Sequence, residues 1–135
     1  MLYSPLQMAA DLPENYVGKP AFQFIRDVAV DWDQSKVIEG KIGDYVVVAR
    51  KAKNSNDWFL GAITDEEART FNVPLSFLTP DRKYTAEIYA DGPGASWFSN
   101  PLPVAISKRS VDSNTRLSVV LAPGGGQAVR ITPAQ

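Results

Sequence analysis

The chain has no cysteine and no histidine among its 135 residues. Without thiols it can form neither a disulfide nor a thiolate metal site. Without imidazole it loses the commonest general base and transition-metal ligand, so triads built on histidine are excluded. The lack of cysteine leaves the compartment open, because proteins of oxidising compartments also manage without it. Basic runs are missing too: 14 Lys+Arg against 15 Asp+Glu give a formal net charge of −1. Such a balance supplies no field to draw nucleic acid or an anionic membrane, and neither partner is expected. The N-terminus lacks a basic segment followed by an apolar run and a cleavage site. No apolar stretch approaches the roughly 20 residues that span a bilayer. A chain of this size is expected to form one domain that buries about two-thirds of its unfolded surface.

What is present divides unevenly. Met1–Ala10 is largely apolar (Leu2, Leu6, Met8, Ala9, Ala10) and ends at Asp11-Leu12-Pro13, as a short buried strand running into a loop would. From Pro20, a favoured first helical residue, Phe22, Ile25, Val28 and Ala29 share one face of a helix of about ten residues, with Phe24 off the stripe. Asp31-Trp32-Asp33 interrupts that pattern, and Lys36–Lys41 leads into Gly43, with the domain boundary placed in this stretch. These signals divide the chain into 1–34, an incomplete leader of strand and helix, and 35–135, a self-contained β-domain.

From Asp44 the period falls to two. Tyr45–Ala49 and Trp58–Ile63 flank a polar loop and read as a hairpin. Thr70–Leu75 alternates, but Pro74 removes a ladder donor and marks an edge strand. Lys83–Ala90 sends Tyr84, Ala86, Ile88 and Ala90 to one side and Thr85, Glu87 and Tyr89 to the other. Leu102–Lys108, Leu117–Leu121 and Ala128–Ile131 follow, the last two joined by Ala122-Pro123-Gly124-Gly125-Gly126. The fold class is therefore mainly β, an antiparallel Greek-key β-sandwich of about seven strands.

Several of these stretches resemble one known family. They are Tyr3–Tyr16, Ala21–Ile25 with Val30–Asp33, Gly43–Arg50, Trp58–Glu66, and Leu121–Gly126, in order along nearly the whole chain. The resemblance is to the C-terminal part of glycoside hydrolase family 97, bacterial α-glucosidases and α-galactosidases. It implies a parent enzyme with an N-terminal β-supersandwich, a central (β/α)8 catalytic barrel and a C-terminal β-sandwich. Leu6–Leu12 would then be the last barrel strand, Pro20–Val30 the last barrel helix and Trp32 the interdomain anchor. It also implies that the catalytic carboxylates and the calcium ligands lie in parts of the parent outside this chain. By the same resemblance the parent would be periplasmic or secreted.

Candidate sites follow from side-chain chemistry. Glycoside hydrolysis needs two convergent carboxylates. The dense acidic groups Asp31/Asp33 and Asp65/Glu66/Glu67 read first as turn or cap chemistry, so no catalytic residue and no metal ligand is assigned. Asp11 would stand at the C-terminal end of a barrel strand, where carboxylates face a sugar pocket. Trp97 and Phe98 lie in a loop, where large apolar groups fit a sugar face or a packing contact. Trp58-Phe59 reads as core. Gly124–Gly126 reads as a hairpin turn rather than a phosphate nest. Three roles compete: a non-catalytic domain that packs on the catalytic barrel or on another copy of itself, a module that binds an oligosaccharide through Trp97, and an autonomous small enzyme, which the lack of His, Cys and a convergent carboxylate pair makes the weakest. Unpaired, the strand edge and apolar helix face of 1–34 are expected to seek partners or become mobile.

Overall fold

The computed structural model describes residues 11–134. The expected strand over Met1–Ala10 lies outside the described residues, as does all of Leu6–Leu12 except Asp11 and Leu12. Two short helices, α1 (Pro13–Tyr16) and α2 (Phe22–Asp27), precede eight strands: β1 (Trp32–Lys41), β2 (Tyr45–Ala52), β3 (Trp58–Thr64), β4 (Arg69–Pro74), β5 (Tyr84–Asp91), β6 (Val104–Val111), β7 (Arg116–Leu121) and β8 (Gly126–Pro133). Six of them form an antiparallel sheet in the order β1-β2-β3-β8-β5-β6, and β4 and β7 pair as a two-stranded sheet over one face. The strands after Asp44 fall where the period-two reading puts them.

The core lies between the sheets. Val47 and Ala49 of β2, Trp58, Leu60 and Ala62 of β3, and Val129 and Ile131 of β8 point inward. Phe71 and Val73 of β4 and Leu117, Val119 and Leu121 of β7 meet them from the small sheet. Trp58 is buried as expected and packs, tilted by 44°, against Phe77 in the loop after β4, ring centres 4.6 Å apart. The alternation of β5 also holds, with Tyr84 and Ala86 buried in the core. Pro74 ends β4, which pairs with β7 alone.

Two expectations are corrected. Trp32–Lys41, read as an interruption and a domain boundary ahead of the first strand, is itself a strand: β1 runs along β2 from Trp32↔Ala52 to Lys41↔Tyr45. Only Trp32 and Ile38 of its ten residues are partly buried, so a sheet-edge strand facing water leaves no apolar alternation to read. The helix expected over Pro20–Val30 is six residues long, and Val28 already has extended backbone. Its packed face is not the Phe22/Ile25 stripe. Ile25 is exposed, and Phe24 turns onto the sheet instead.

The turns carry their own chemistry. Gly43 takes φ 88° in the β1–β2 connection, a conformation that glycine adopts without cost. The glycine run is the β7–β8 turn, as expected, and it wraps the Asp91 carboxylate, which accepts from the Ala122 N–H at 2.9 Å and the Gly126 N–H at 3.2 Å. A Cβ at Gly125 would sit 2.0 Å from that carboxylate. The backbone nest is thus filled by an anion of the chain itself. Between β3 and β4, Arg69 is ringed by Asp65, Glu67 and Asp44, and its guanidinium lies 5.2 Å from the Tyr45 ring centre. The hydrogen bond from Arg69, then that from the Glu67 N–H, hold the Asp65 carboxyl below its ordinary value.

Two outcomes follow. Leu60→Ala should cost about 2–5 kcal/mol in urea unfolding by opening a cavity between the sheets. Ile42→Ser, at a fully exposed turn position, should stay within about 0.5 kcal/mol. A carboxyl depressed in the folded state stabilises above its unfolded value near 3.8 and loses that contribution as pH falls through the folded value. Asp65→Asn should therefore lower the urea midpoint at neutral pH and flatten its decline below about pH 4.

Candidate interdomain interface

The face of the six-stranded sheet turned away from the small sheet is not a plain solvent face. Strand register sets two rows of side chains across it. One runs Arg50, Phe59, Arg130, Glu87, Lys108 through β2, β3, β8, β5 and β6. The next runs Val37, Val48, Gly61, Ala128, Tyr89, Ile106 from edge to edge of the sheet. In this apolar row the two smallest side chains, Gly61 and Ala128, stand side by side at the centre. Their lack of bulk leaves a groove of about 430 Å³, walled by Phe24, Trp32, Phe59, Tyr89, Ile63 and Val104.

Helix α2 lies along one side of this groove. Phe24 sets its ring edge to Phe59 at 6.1 Å and to Tyr89 at 5.4 Å. Asp27 accepts from Arg130 Nη1 at 2.7 Å, a contact that spans 103 residues of sequence. Gln23 donates to the other Asp27 oxygen at 2.8 Å, which leaves that carboxylate well satisfied. Burial, and then the charge of Glu87, push the Tyr89 phenol above its ordinary value, so it stays neutral. These contacts join the leader to the sandwich through aromatic edges and one partly buried ion pair.

Trp32 stands at the end of the same groove. Its ring meets Phe59 edge-on at 5.6 Å, and the Arg50 guanidinium lies 5.6 Å from its centre. It therefore lies against the sheet and lines the same groove as Phe24 of α2. Trp97 and Phe98 are brought together, ring centres 5.6 Å apart and edge to face, in the loop after β5. Both are exposed, at 60% and 82%. The Trp97 N–H donates to the Pro123 carbonyl at 3.3 Å, and its ring crosses Gly124 so closely that any Cβ there would lie 2.7 Å from the Trp97 side chain. The pair is thus propped on the β7–β8 turn. Asp11 is apart from them, in the leader. Its carboxylate accepts from Asn15 Nδ2 and from the Leu12 N–H, each at 2.7 Å, and these bonds hold it below its ordinary value. That is local turn chemistry at the start of α1.

Phe24, Tyr89, Arg130 and the Gly61/Ala128 floor were not singled out by sequence reasoning. A signal did exist: Phe59 and Tyr89 are large apolar residues on the non-core face of their strands, which marks a sheet covered on both sides. The carboxylates show no fit to calcium. Among the described residues no three acidic groups are placed to hold a metal ion, and the convergence of Asp44, Asp65 and Glu67 is filled by Arg69.

Comparison with known proteins agrees with this architecture. A model of the family described as glycosyl-hydrolase 97 C-terminal, oligomerisation, matches residues 31–132, opening beside the first residue of β1. A retaining alpha-galactosidase of Bacteroides thetaiotaomicron is 37% identical over 129 residues, which are 95% of this chain and 19% of that protein. A probable retaining alpha-galactosidase of Streptomyces bingchenggensis is 29% identical over 93% of this chain and 18% of its own length. A glycoside hydrolase family 97 enzyme from Pseudoalteromonas sp. strain K8, solved in complex with acarbose, superposes with a TM-score of 0.96 at 48% identity, over 99% of this chain and 21% of that one. A beta-arabinopyranosidase at 24% identity and a TM-score of 0.73 shares the fold. The chain spans about a fifth of the length of the curated relatives it matches. It belongs to glycoside hydrolase family 97, as the C-terminal, oligomerisation region of such an enzyme.

Proposed function

We propose that this chain is a non-catalytic module of a family 97 α-glycosidase and that its work is packing. The observation that carries this is the groove on the outer face of the six-stranded sheet: it is apolar, walled by aromatic rings, and continuous with the helix that leads into the sandwich. A face of that composition fits another folded surface better than it fits sugar, whose hydroxyls require converging amides or carboxylates beside the stacking ring. In this reading α2 is the last helix of the catalytic barrel, Trp32 anchors it to the sandwich, and the barrel covers the groove. The named relatives support an α-galactosidase or α-glucosidase activity for the parent, with its carboxylates and calcium held outside this chain. Asp11 then stays with the barrel as a turn residue, and Trp97–Phe98 supply a packing contact rather than a sugar platform.

The purified chain should show no turnover of p-nitrophenyl α-galactoside or α-glucoside above buffer; measurable hydrolysis that persists through repurification sinks the non-catalytic reading. Titration with maltooligosaccharides and melibiose to about 10 mM should leave tryptophan fluorescence unchanged, well above the range of useful lectin-type affinity. A saturable shift that Trp97→Ala removes points to a sugar-binding module instead. Phe24→Ala should release α2: hydrogen exchange at 22–28 should speed up, while the sandwich loses only about 1–3 kcal/mol. Unchanged protection in that variant rules out the aromatic contact as the tie between leader and sheet.

A further inference from the structure

The turn between β7 and β8 is tied to two parts of the fold at once. Pro123 is followed by Gly124 at φ 67°, and the Gly125 N–H donates to the Ala122 carbonyl at 2.8 Å, the signature of a type II turn. Toward the end of β3, the Gly124 N–H donates to the Asp65 carbonyl at 2.6 Å and the Thr64 N–H to the Gly125 carbonyl at 3.2 Å. Toward β5, the N–H groups of Ala122 and Gly126 converge on one carboxylate oxygen of Asp91, the last residue of that strand. The other oxygen adds a longer contact to the Gly126 N–H at 3.4 Å. Gly125 suits this arrangement, because the carboxylate lies where a Cβ would stand.

Asp91 is also the stem of the loop that carries Trp97 and Phe98. That loop folds on itself. The Gly92 N–H donates to the Pro103 carbonyl at 2.8 Å, Ser96 and Asn100 exchange two backbone bonds at 3.0 Å, and Asn100 Nδ2 donates to the Gly94 carbonyl at 3.2 Å. It meets the β7–β8 turn through the Trp97 N–H, bonded to the Pro123 carbonyl at 3.3 Å, and through the Trp97 ring on Gly124. We propose that the β7–β8 turn is an anion-binding cradle in which the Asp91 carboxylate acts as a latch, fixing the pose of the Trp97–Phe98 pair. The two N–H groups it holds stand two residues to either side of Gly124, so the carboxylate keeps in place the floor on which the Trp97 ring rests. Converging backbone N–H groups at a turn favour anions, and bonds to an ionised acceptor are stronger than neutral ones. A free carboxylate small enough to enter should therefore replace the side chain. The latch acts within the chain whatever surface the aromatic pair meets, so it stands or falls apart from the packing role.

Asp91→Ala removes the carboxylate and leaves a gap of the shape of formate. In the full chain, amide exchange at Trp97, whose N–H bonds to Pro123 and not to Asp91, should quicken about tenfold or more relative to the buried Leu60 and Val129. Sodium formate should restore the protection saturably. A ligand of three heavy atoms reaches about millimolar affinity at best, so it is titrated to about 0.2 M against sodium chloride of equal ionic strength. Formamide has the same shape without the charge and should restore little. Coupling is reciprocal, which supplies a second variant. Trp97→Ala trims a side chain that is 60% exposed, so the sandwich should still fold, and exchange at Ala122 and Gly126 should quicken although their acceptor is intact. A Trp97 amide equally protected with and without the Asp91 carboxylate overturns the latch. Rescue by formamide or chloride as complete as that by formate overturns the anion cradle. Where Asp91→Ala does not fold with or without formate, Trp97→Ala decides: unchanged exchange at Ala122 and Gly126 overturns the proposal, and faster exchange at both upholds it.

Discussion

Two strands must cover six. A sandwich buries apolar side chains only where both sheets overlap, and here β4 and β7 shield the middle of the large sheet and leave its flanks bare. The rest of the architecture follows from that inequality. The core condenses on β2, β3, β8 and the inner half of β5, with Phe77 and Leu78 of the loop after β4 closing one end. At one flank β1 runs out into water and carries charge. At the other, β6 has side chains exposed on both faces.

The outer face is shaped by residue size. Phe59 and Tyr89 are too large and apolar to stand free on a sheet, while Gly61 and Ala128 between them leave a hollow. Helix α2 fills part of it with Phe24, and the Asp27–Arg130 pair fixes the helix laterally. A helix of six residues has little stability of its own in water, so it exists here because the sheet supplies the apolar surface it covers. The same sheet thus faces a core on one side and an aromatic-walled groove with α2 on the other.

Much of this was legible in the chain. Hairpin β2–β3, the alternation of β5, the proline-marked end of β4 and the glycine turn before β8 are all local signals, and each element forms where its signal stands. The strand β1 was not legible, because its side chains face water and hydrogen bonding to β2 alone makes it a strand. The packed face of α2 was misread for a related reason. In a stretch where Phe22, Phe24, Ile25 and Val28 are all apolar, helical period cannot say which of them meets a partner.

The amino-acid order by itself determined which segments pleat, where they turn, and that no thiol or imidazole chemistry is available. These are properties of neighbours along the chain: alternation, turn residues, and the side-chain inventory. Only the tertiary structure decided that Phe24 rather than Ile25 packs, that Asp27 finds Arg130, that the glycine turn closes on Asp91, and that β6 is left bare. Each of these depends on which strands become neighbours in space, and strand order across a sheet is set by the burial of the whole core rather than by any local run of residues.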